Sequence, residues 1–186
     1  SGRPIGERIA EIEGSASKWI VDNEGVPRIA VRFEDDDSRT VLYRSSANED
    51  FRIIASYMPG APDLLNPFGF TMDGKHLIVA AYNRKKTIGI YEYDPEIHSF
   101  GKEIFHLEDA DVEEIFIDPV TNDIQSLTYE VGSETKRHFL PESRRIYEGR
   151  LGENTPPLDL IKIVSSSANR DRFVYWVTGP QQPGAH

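Results

Sequence analysis

Glu108-Asp109-x-Asp111-x-Glu113-Glu114 places five carboxylates within seven residues, the densest concentration of reactive side-chain type in the chain. Calcium binding needs oxygens converging from a folded loop, and the pattern with a central glycine that achieves this is absent. Glycoside hydrolysis needs two carboxyls across one bond, which adjacency in sequence does not provide. Loop solvation and turn hydrogen bonding are the expected roles. Asp35-Asp36-Asp37 reads as a hairpin tip whose charge discourages edge pairing. Arg84-Lys85-Lys86 is the compact basic cluster, at an expected hairpin turn, open to contact with another domain or with a substrate carboxylate. The histidines at 76, 98, 106, 138 and 186 are dispersed, without the His-x-x-x-His or His-Glu-x-x-His spacing of a metal site. No catalytic, cofactor-binding or metal-binding residue is expected, and no cofactor.

Composition narrows the function classes further. The 186 residues are enough for a domain with a real core. They carry 21 Lys and Arg against 31 Asp and Glu, a formal net charge of -10. Three clustered cations on such a chain make a poor footprint for nucleic acid, so no nucleic-acid partner is expected. The absence of cysteine excludes disulfides, thiolate zinc sites and a cysteine nucleophile. No run approaches the ~18 apolar residues of a membrane span, no signal peptide is recognisable, and no membrane partner is expected. Ser1-Gly2-Arg3 does not begin with Met and reads as an excised start, so a missing targeting signal is uninformative.

The elements that must position these side chains are short strands. Nine Phe, eight Tyr and two Trp suit aromatic-rich sheets. Asn66–Ser99 reads as three consecutive strands with Asp73-Gly74 and Asn83-Arg84-Lys85-Lys86 at the turns and Asp94-Pro95-Glu96 as a stop. Leu77–Tyr82 and Thr87–Tyr93 are apolar or aromatic nearly throughout, as strands covered on both faces are. Before them come candidates at Arg8–Ile12, Lys18–Val21, Arg28–Phe33, Thr40–Arg44 and Phe51–Tyr57. After them, Glu103–His106, Glu113–Ile117, Ile124–Tyr129 and Lys136–Leu140 form a group, and Leu160–Ser165 with Arg172–Thr178 form the last pair. Trp19, Phe70, Ile115 and Ile163, at comparable places in successive groups, lie 51, 45 and 48 residues apart. That matches the ~40–50 residues of a β-propeller blade. A two-sheet sandwich would show similar strands with cleaner alternation. The pattern therefore predicts an all-β chain, a partial β-propeller of about three to four blades forming a single unit over residues 1–186. One short helix is expected near 141–152, with Pro141 at its start, Gly152 at its stop and Ile146, Tyr147, Arg150 and Leu151 on one side. Trp19, Trp176, Tyr91, Tyr93 and Tyr175 are expected to pack between blades.

In order, Trp19-Ile20-Val21-Asp22-Asn23-Glu24-Gly25-x-x-Arg28, Phe70-x-x-Asp73-Gly74, Ile90-Tyr91-Glu92-Tyr93-Asp94, Asp111-Val112, Asp118-Pro119-x-Thr121, the helix, Ser165-Ser166-Ser167 and Asp171 resemble a known pattern. They look like the N-terminal β-propeller of the prolyl oligopeptidase family of serine peptidases, nearest its bacterial dipeptidyl aminopeptidase and acylaminoacyl-peptidase-like members. The resemblance spans roughly residues 15–184. It implies a lid that filters substrates by size over an α/β-hydrolase domain, which would be this segment's partner in the same parent chain, with peptide substrates passing between them. It also implies export, to the periplasm or beyond, more than a cytoplasmic home. The family's nucleophile lies in a Gly-x-Ser-x-Gly elbow, and Gly14-Ser15-Ala16-Ser17-Lys18 and Gly132-Ser133-Glu134 both fail that pattern. The hydrolase domain is thus expected to be absent from this chain, and the chain alone is not expected to be an enzyme. A stand-alone propeller scaffold binding protein or glycan partners, and a propeller glycosidase fragment, remain the other readings.

An open set of blades leaves two faces bare. A four-stranded face of ~17 by ~19 Å covers roughly 300 Å², worth on the order of 8 kcal/mol at about 25 cal/mol per Å². Self-association through those faces is expected, or completion of a blade ending at the Val174–Thr178 strand by Arg8–Ile12.

Overall fold

The computed structural model describes residues 10–118, 123–150, 157–167, 171–179 and 182–185. The chain is mostly strand, in four antiparallel sheets that follow one another along the sequence. It divides into two compact units, Ser1–Asp111 and Val112–His186, and each is described by itself.

The first unit holds two four-stranded meanders. β1 (Ala16–Val21), β2 (Pro27–Phe33), β3 (Arg39–Tyr43) and β4 (Arg52–Tyr57) pair in chain order, as do β5 (Asn66–Phe70), β6 (Leu77–Ala81), β7 (Gly89–Asp94) and β8 (Ser99–Phe105). Every residue of β6 is buried, so this strand is covered on both faces, as its unbroken apolar run predicts. The two sheets share one core. Ile29, Val31, Val41 and Tyr43 on one side meet Leu77, Val79, Tyr91 and Tyr93 on the other, with Phe70 and Leu65 filling between them. Pairing of Ile29 with Tyr43 and of Val31 with Val41 puts the first set on one face of its sheet. Pairing of Leu77 with Tyr93 and of Val79 with Tyr91 does the same for the second.

Two features differ from expectation here. No strand covers Ala10–Ile12, the described part of the Arg8–Ile12 candidate. Gly14, at φ 82°, turns the chain before β1, and the Arg32 guanidinium fixes that approach by donating to the Glu13 carbonyl at 2.7 Å. Arg8–Ile12 therefore completes no sheet as far as it is described. Glu103–His106 does not open the third group but falls largely in β8, the edge strand of the second sheet. His98–Lys102 looks like loop in sequence because an edge strand carries a polar, exposed surface. Phe100 packs it edge-on to Tyr91 and Tyr93 at 5.7 and 5.2 Å.

Burial at the start of β7 leaves one polar atom uncompensated. The Tyr91 hydroxyl is buried and has no hydrogen-bond partner among the described residues, and burial raises its pKa. Tyr91→Phe removes that unpaired group while keeping the ring, so it should stabilise the first unit by about 1 kcal/mol. A urea melt whose midpoint falls instead would show that the hydroxyl has a partner in solution.

The second unit contains two three-stranded sheets. β9 (Val112–Ile117), β10 (Ile124–Val131) and β11 (Glu134–Phe139) form one, with β10 central, and β12 (Ile161–Ser166), β13 (Phe173–Gly179) and β14 (Gln182–Ala185) form the other. The last sheet therefore does not stop at its Val174–Thr178 strand. Pro183 sits in the edge strand β14, where its missing N–H is tolerated, and the Pro-rich composition hid the strand. Between the sheets lies α1 (Pro141–Glu148), where the expected Pro141 occupies the first turn. It ends at Gly149, short of the expected Gly152, with the Gly149 N–H donating to the Arg145 carbonyl. Its buried residues are Ser143 and Tyr147, while Ile146 is half-buried and Arg150 exposed. The Tyr147 ring packs edge-on to Phe139 and Phe173. Leu151 and Gly152 lie outside the described residues. No helix among the described residues is long and apolar enough to cross a membrane.

Candidate functional site

Three concavities in the first unit gather the polar side chains that the sequence singles out, and they differ in how much of that polarity is already used. The first, of about 460 Å³, lies where the β1–β2, β3–β4 and β5–β6 turns converge. Its polar groups bind one another. The Asp22 carboxylate accepts from the Glu24 and Val26 backbone N–H groups at 3.0 and 2.9 Å and lies 3.7 Å from the Arg28 guanidinium. Asn23 donates to the Met72 carbonyl at 2.6 Å, and Arg28 donates to the Gly74 carbonyl at 3.2 Å. This is a tie between two sheets, with Asp22 paired to Arg28.

The second, of about 430 Å³, is lined by Lys85, Lys86, Thr87, His106 and Glu108. A hydroxyl beside an imidazole invites comparison with a nucleophile and its base, since Thr87 Oγ1 and His106 Nε2 are 2.9 Å apart. The proton inventory decides against it. Thr87 Oγ1 also contacts the Leu107 carbonyl, which can only accept, so the hydroxyl proton goes there. His106 Nε2 must then donate to Thr87, which leaves the ring no free electron pair at that nitrogen to take a proton. Lys85 is paired with Glu103, and Asp111 accepts the Ile88 N–H at 2.7 Å. These contacts fasten the β6–β7 connection.

The third, a cleft of about 680 Å³, is bordered by Ile54 and Ala55 of β4, the connector 62–65, Asn83 and Arg84, and Ser99, Phe100 and Gly101 of β8. Beneath it lie Ile54, Leu65 and Tyr93, buried in the core, with Phe100 37% exposed, and the open lining is more polar than apolar. Arg84 is exposed and has no hydrogen-bond or ion-pair partner among the described residues. It follows Asn83 in a tight turn closed by the Lys85 N–H on the Tyr82 carbonyl at 2.8 Å, with φ of 43° at Asn83 and 65° at Arg84. Both values being positive makes this a type I′ turn, whose second central position favours glycine. His98, also lining the cleft, has φ 53°. No protein-family model, curated protein or solved structure matches this chain. The functional reading therefore rests on the geometry and on the residue pattern.

The other candidates fall out as follows. The acidic run is divided: Asp111 is a turn ligand, while Glu113 and Glu114 are exposed on β9, where the register with β10 skips Glu113 at a bulge. Glu114 lies 4.0 Å from the Lys162 ammonium. Asp35-Asp36-Asp37 forms the β2–β3 turn, with Asp36 accepting the Ser38 N–H at 3.0 Å and its carboxyl held below its usual range chiefly by Ser38. The basic triplet is split, with Arg84 at the cleft, Lys85 paired and Lys86 at the second concavity. Of the histidines, His76 holds its turn through Thr71, His98 lines the cleft, His106 binds Thr87 and His138 is half-buried on β11. His186 lies outside the described residues. Among the described residues no three His, Asp or Glu side chains converge as metal ligands. Tyr91 and Tyr93 pack between the first two sheets, and Tyr175 packs in the second unit's core. Trp176 is half-buried. Trp19 differs, being 41% exposed and edge-on to Phe51 at 5.7 Å.

Sequence reasoning singled out Arg84 but not its cleft. Phe100, an isolated aromatic in a polar run, and the Asn83-Arg84 dipeptide, where Asn-Gly would be the cheapest turn, were the available signals.

Proposed function

We propose that this chain is the non-catalytic β-propeller portion of a prolyl-oligopeptidase-like serine peptidase, acting as a lid and size filter over a separate hydrolase domain. One observation carries the propeller part of the reading. The four sheets are meanders in chain order whose first strands begin at Ala16, Asn66, Val112 and Ile161, intervals of 50, 46 and 49 residues. That is the ~40–50-residue period of propeller blades. Trp19, Phe70, Ile115 and Ile163 each fall in the first strand of their own sheet. Within the first unit, neighbouring sheets pack face to face, and Lys18 of β1 donates to the Pro67 carbonyl of β5 at 2.7 Å, as adjacent inner strands of two blades would allow. The peptidase part rests on the residue pattern and on a helix between the third and fourth sheets.

The test has two arms. The parent reading frame beyond residue 186 should encode a Gly-x-Ser-x-Gly elbow followed by Asp and His; a frame without them favours the stand-alone scaffold. The purified chain should neither hydrolyse aminoacyl or acyl-peptide chromogenic substrates nor take up a fluorophosphonate. A stoichiometric adduct on this chain would overturn the non-catalytic assignment.

A further inference from the structure

We propose that the cleft between β4 and β8 binds an extended peptide segment that ends in a carboxylate, with the carboxylate held by Arg84 and apolar side chains on Phe100 and Tyr93. The proposal rests on the cleft alone and is independent of the peptidase reading.

Three observations converge on that occupant. Among the described residues β4 and β8 are each the last strand of their sheet and pair on one side only, so each strand bordering the cleft has one edge of unpaired backbone N–H and C=O groups. An extended segment is the ligand that can pair with such an edge, and edges left open are otherwise a hazard for the protein. The floor of Ile54, Leu65, Tyr93 and Phe100 takes the side chains that alternate toward it, two residues apart in a strand. At one end, Arg84 presents a guanidinium with no partner among the described residues, in a chain whose formal net charge is -10. Its planar fork suits a carboxylate.

The backbone makes the case for Arg84 sharper. A side chain at φ 65° in the second central position of a type I′ turn is less stable than glycine there. Arginine at this position costs stability and returns no hydrogen bond or ion pair among the described residues. Asp63, His98 and Tyr93 are the other ionisable groups lining the cleft. Asp63, itself an acid lining the cleft, disfavours a ligand carrying a second carboxylate. A volume of about 680 Å³ lies in the range of about 300–1,000 Å³ of ligand sites. It admits one strand, and a second copy of this chain could enter only by a projecting segment.

The test uses the full chain and three fluorescein-labelled, N-terminally capped pentapeptides of alternating valine and phenylalanine, ending in glutamate, glutamine or lysine with an amidated C-terminus. Fluorescence anisotropy should show the glutamate peptide binding about tenfold more tightly than the lysine peptide. Arg84→Gly should abolish that preference while raising the melting temperature, so lost binding cannot be lost folding. Methylating alternate amide nitrogens of the glutamate peptide should weaken it about tenfold or more, because strand pairing needs those donors. Equal binding of all three peptides, no saturable binding up to about 1 mM, or an unchanged preference in Arg84→Gly would overturn the proposal. So would a concentration-dependent dimer in sedimentation that Arg84→Gly dissolves, which would give the cleft to a second copy.

Discussion

Gly89→Ala should destabilise the first unit by about 3 kcal/mol, a large effect for one methyl group. Substituting alanine for glycine in a strand ordinarily gains about 0.5–1 kcal/mol, because the unfolded chain loses freedom. The reversal of sign has a steric cause. A Cβ on Gly89 would meet the Tyr91 hydroxyl oxygen at 2.8 Å, the Phe105 carbonyl oxygen at 2.9 Å and the His106 Cβ at 3.1 Å. None of the three is free to move. The Phe105 carbonyl belongs to β8, whose Phe105 is paired with Ile90 next to the site. The Tyr91 ring is fixed by Phe100, and His106 is tied to Thr87. Gly25 provides the control: it lies at φ 80° with nothing within 4 Å of the added Cβ, so Gly25→Ala should cost only backbone strain, about 1 kcal/mol. Combining Gly89→Ala with Tyr91→Phe removes the closest of the three contacts and should recover more than the about 1 kcal/mol that Tyr91→Phe gains alone, leaving the carbonyl clash. If Gly89→Ala melts at or above the unsubstituted chain, the close approach of β7 to β8 is not as described.

The same corner shows which parts of the fold were legible in the sequence. Leu77–Ala81, apolar at every position, could only be a strand covered on both faces, and Asp73-Gly74 could only be its turn. These signals are local, so strand order and turn positions followed from them. The first half of β8, its place in the second sheet and the whole of β14 were illegible for a shared reason. An edge strand is defined by the neighbour it hydrogen-bonds rather than by an apolar pattern, so Glu103–His106 reads as a strand without its Ser99–Lys102 beginning, and Pro183 carries no such pattern. The candidate site was less legible still. Arg84 stood out as a cation at a turn, but Ile54, Leu65 and Phe100 come from three places in the chain that only the packing of two sheets brings together. The triplet Arg84-Lys85-Lys86 reads as one patch, yet a turn points successive side chains in different directions, and the three serve different purposes.

Arg28 was visible in the sequence as the end of a strand-turn pattern and the start of a strand, with no sign of its role as a clamp, and its substitution should have the other large effect. Arg28→Met is expected to cost about 3–4 kcal/mol, because it leaves several polar groups at a half-buried site without their donor. The guanidinium donates to the Arg44 carbonyl at 3.1 Å, the Gly74 carbonyl at 3.2 Å and the Tyr43 hydroxyl at 2.7 Å. It also lies over the Tyr43 and Phe70 rings, at 5.4 and 4.9 Å from their centres. Gly74 and Phe70 belong to the second sheet and Tyr43 and Arg44 to the first, so one side chain clamps both. Tyr43 in turn donates to Glu96 at 2.9 Å, and Arg52 holds that carboxylate at 2.6 Å. Arg28→Lys should recover little, since a single ammonium cannot reach acceptors spread across a planar fork or stack between two rings. High salt should not reproduce the loss, because the Asp22 carboxylate at 3.7 Å is a minor part of the arrangement. Hydrogen exchange gives the local readout. Arg28→Met should speed exchange at the Gly74 and His76 amides, which hold the β5–β6 turn, more than at the β6 amides of the core. A variant within about 1 kcal/mol of the parent chain, or exchange that rises uniformly, would mean that hydrophobic packing alone joins the two sheets.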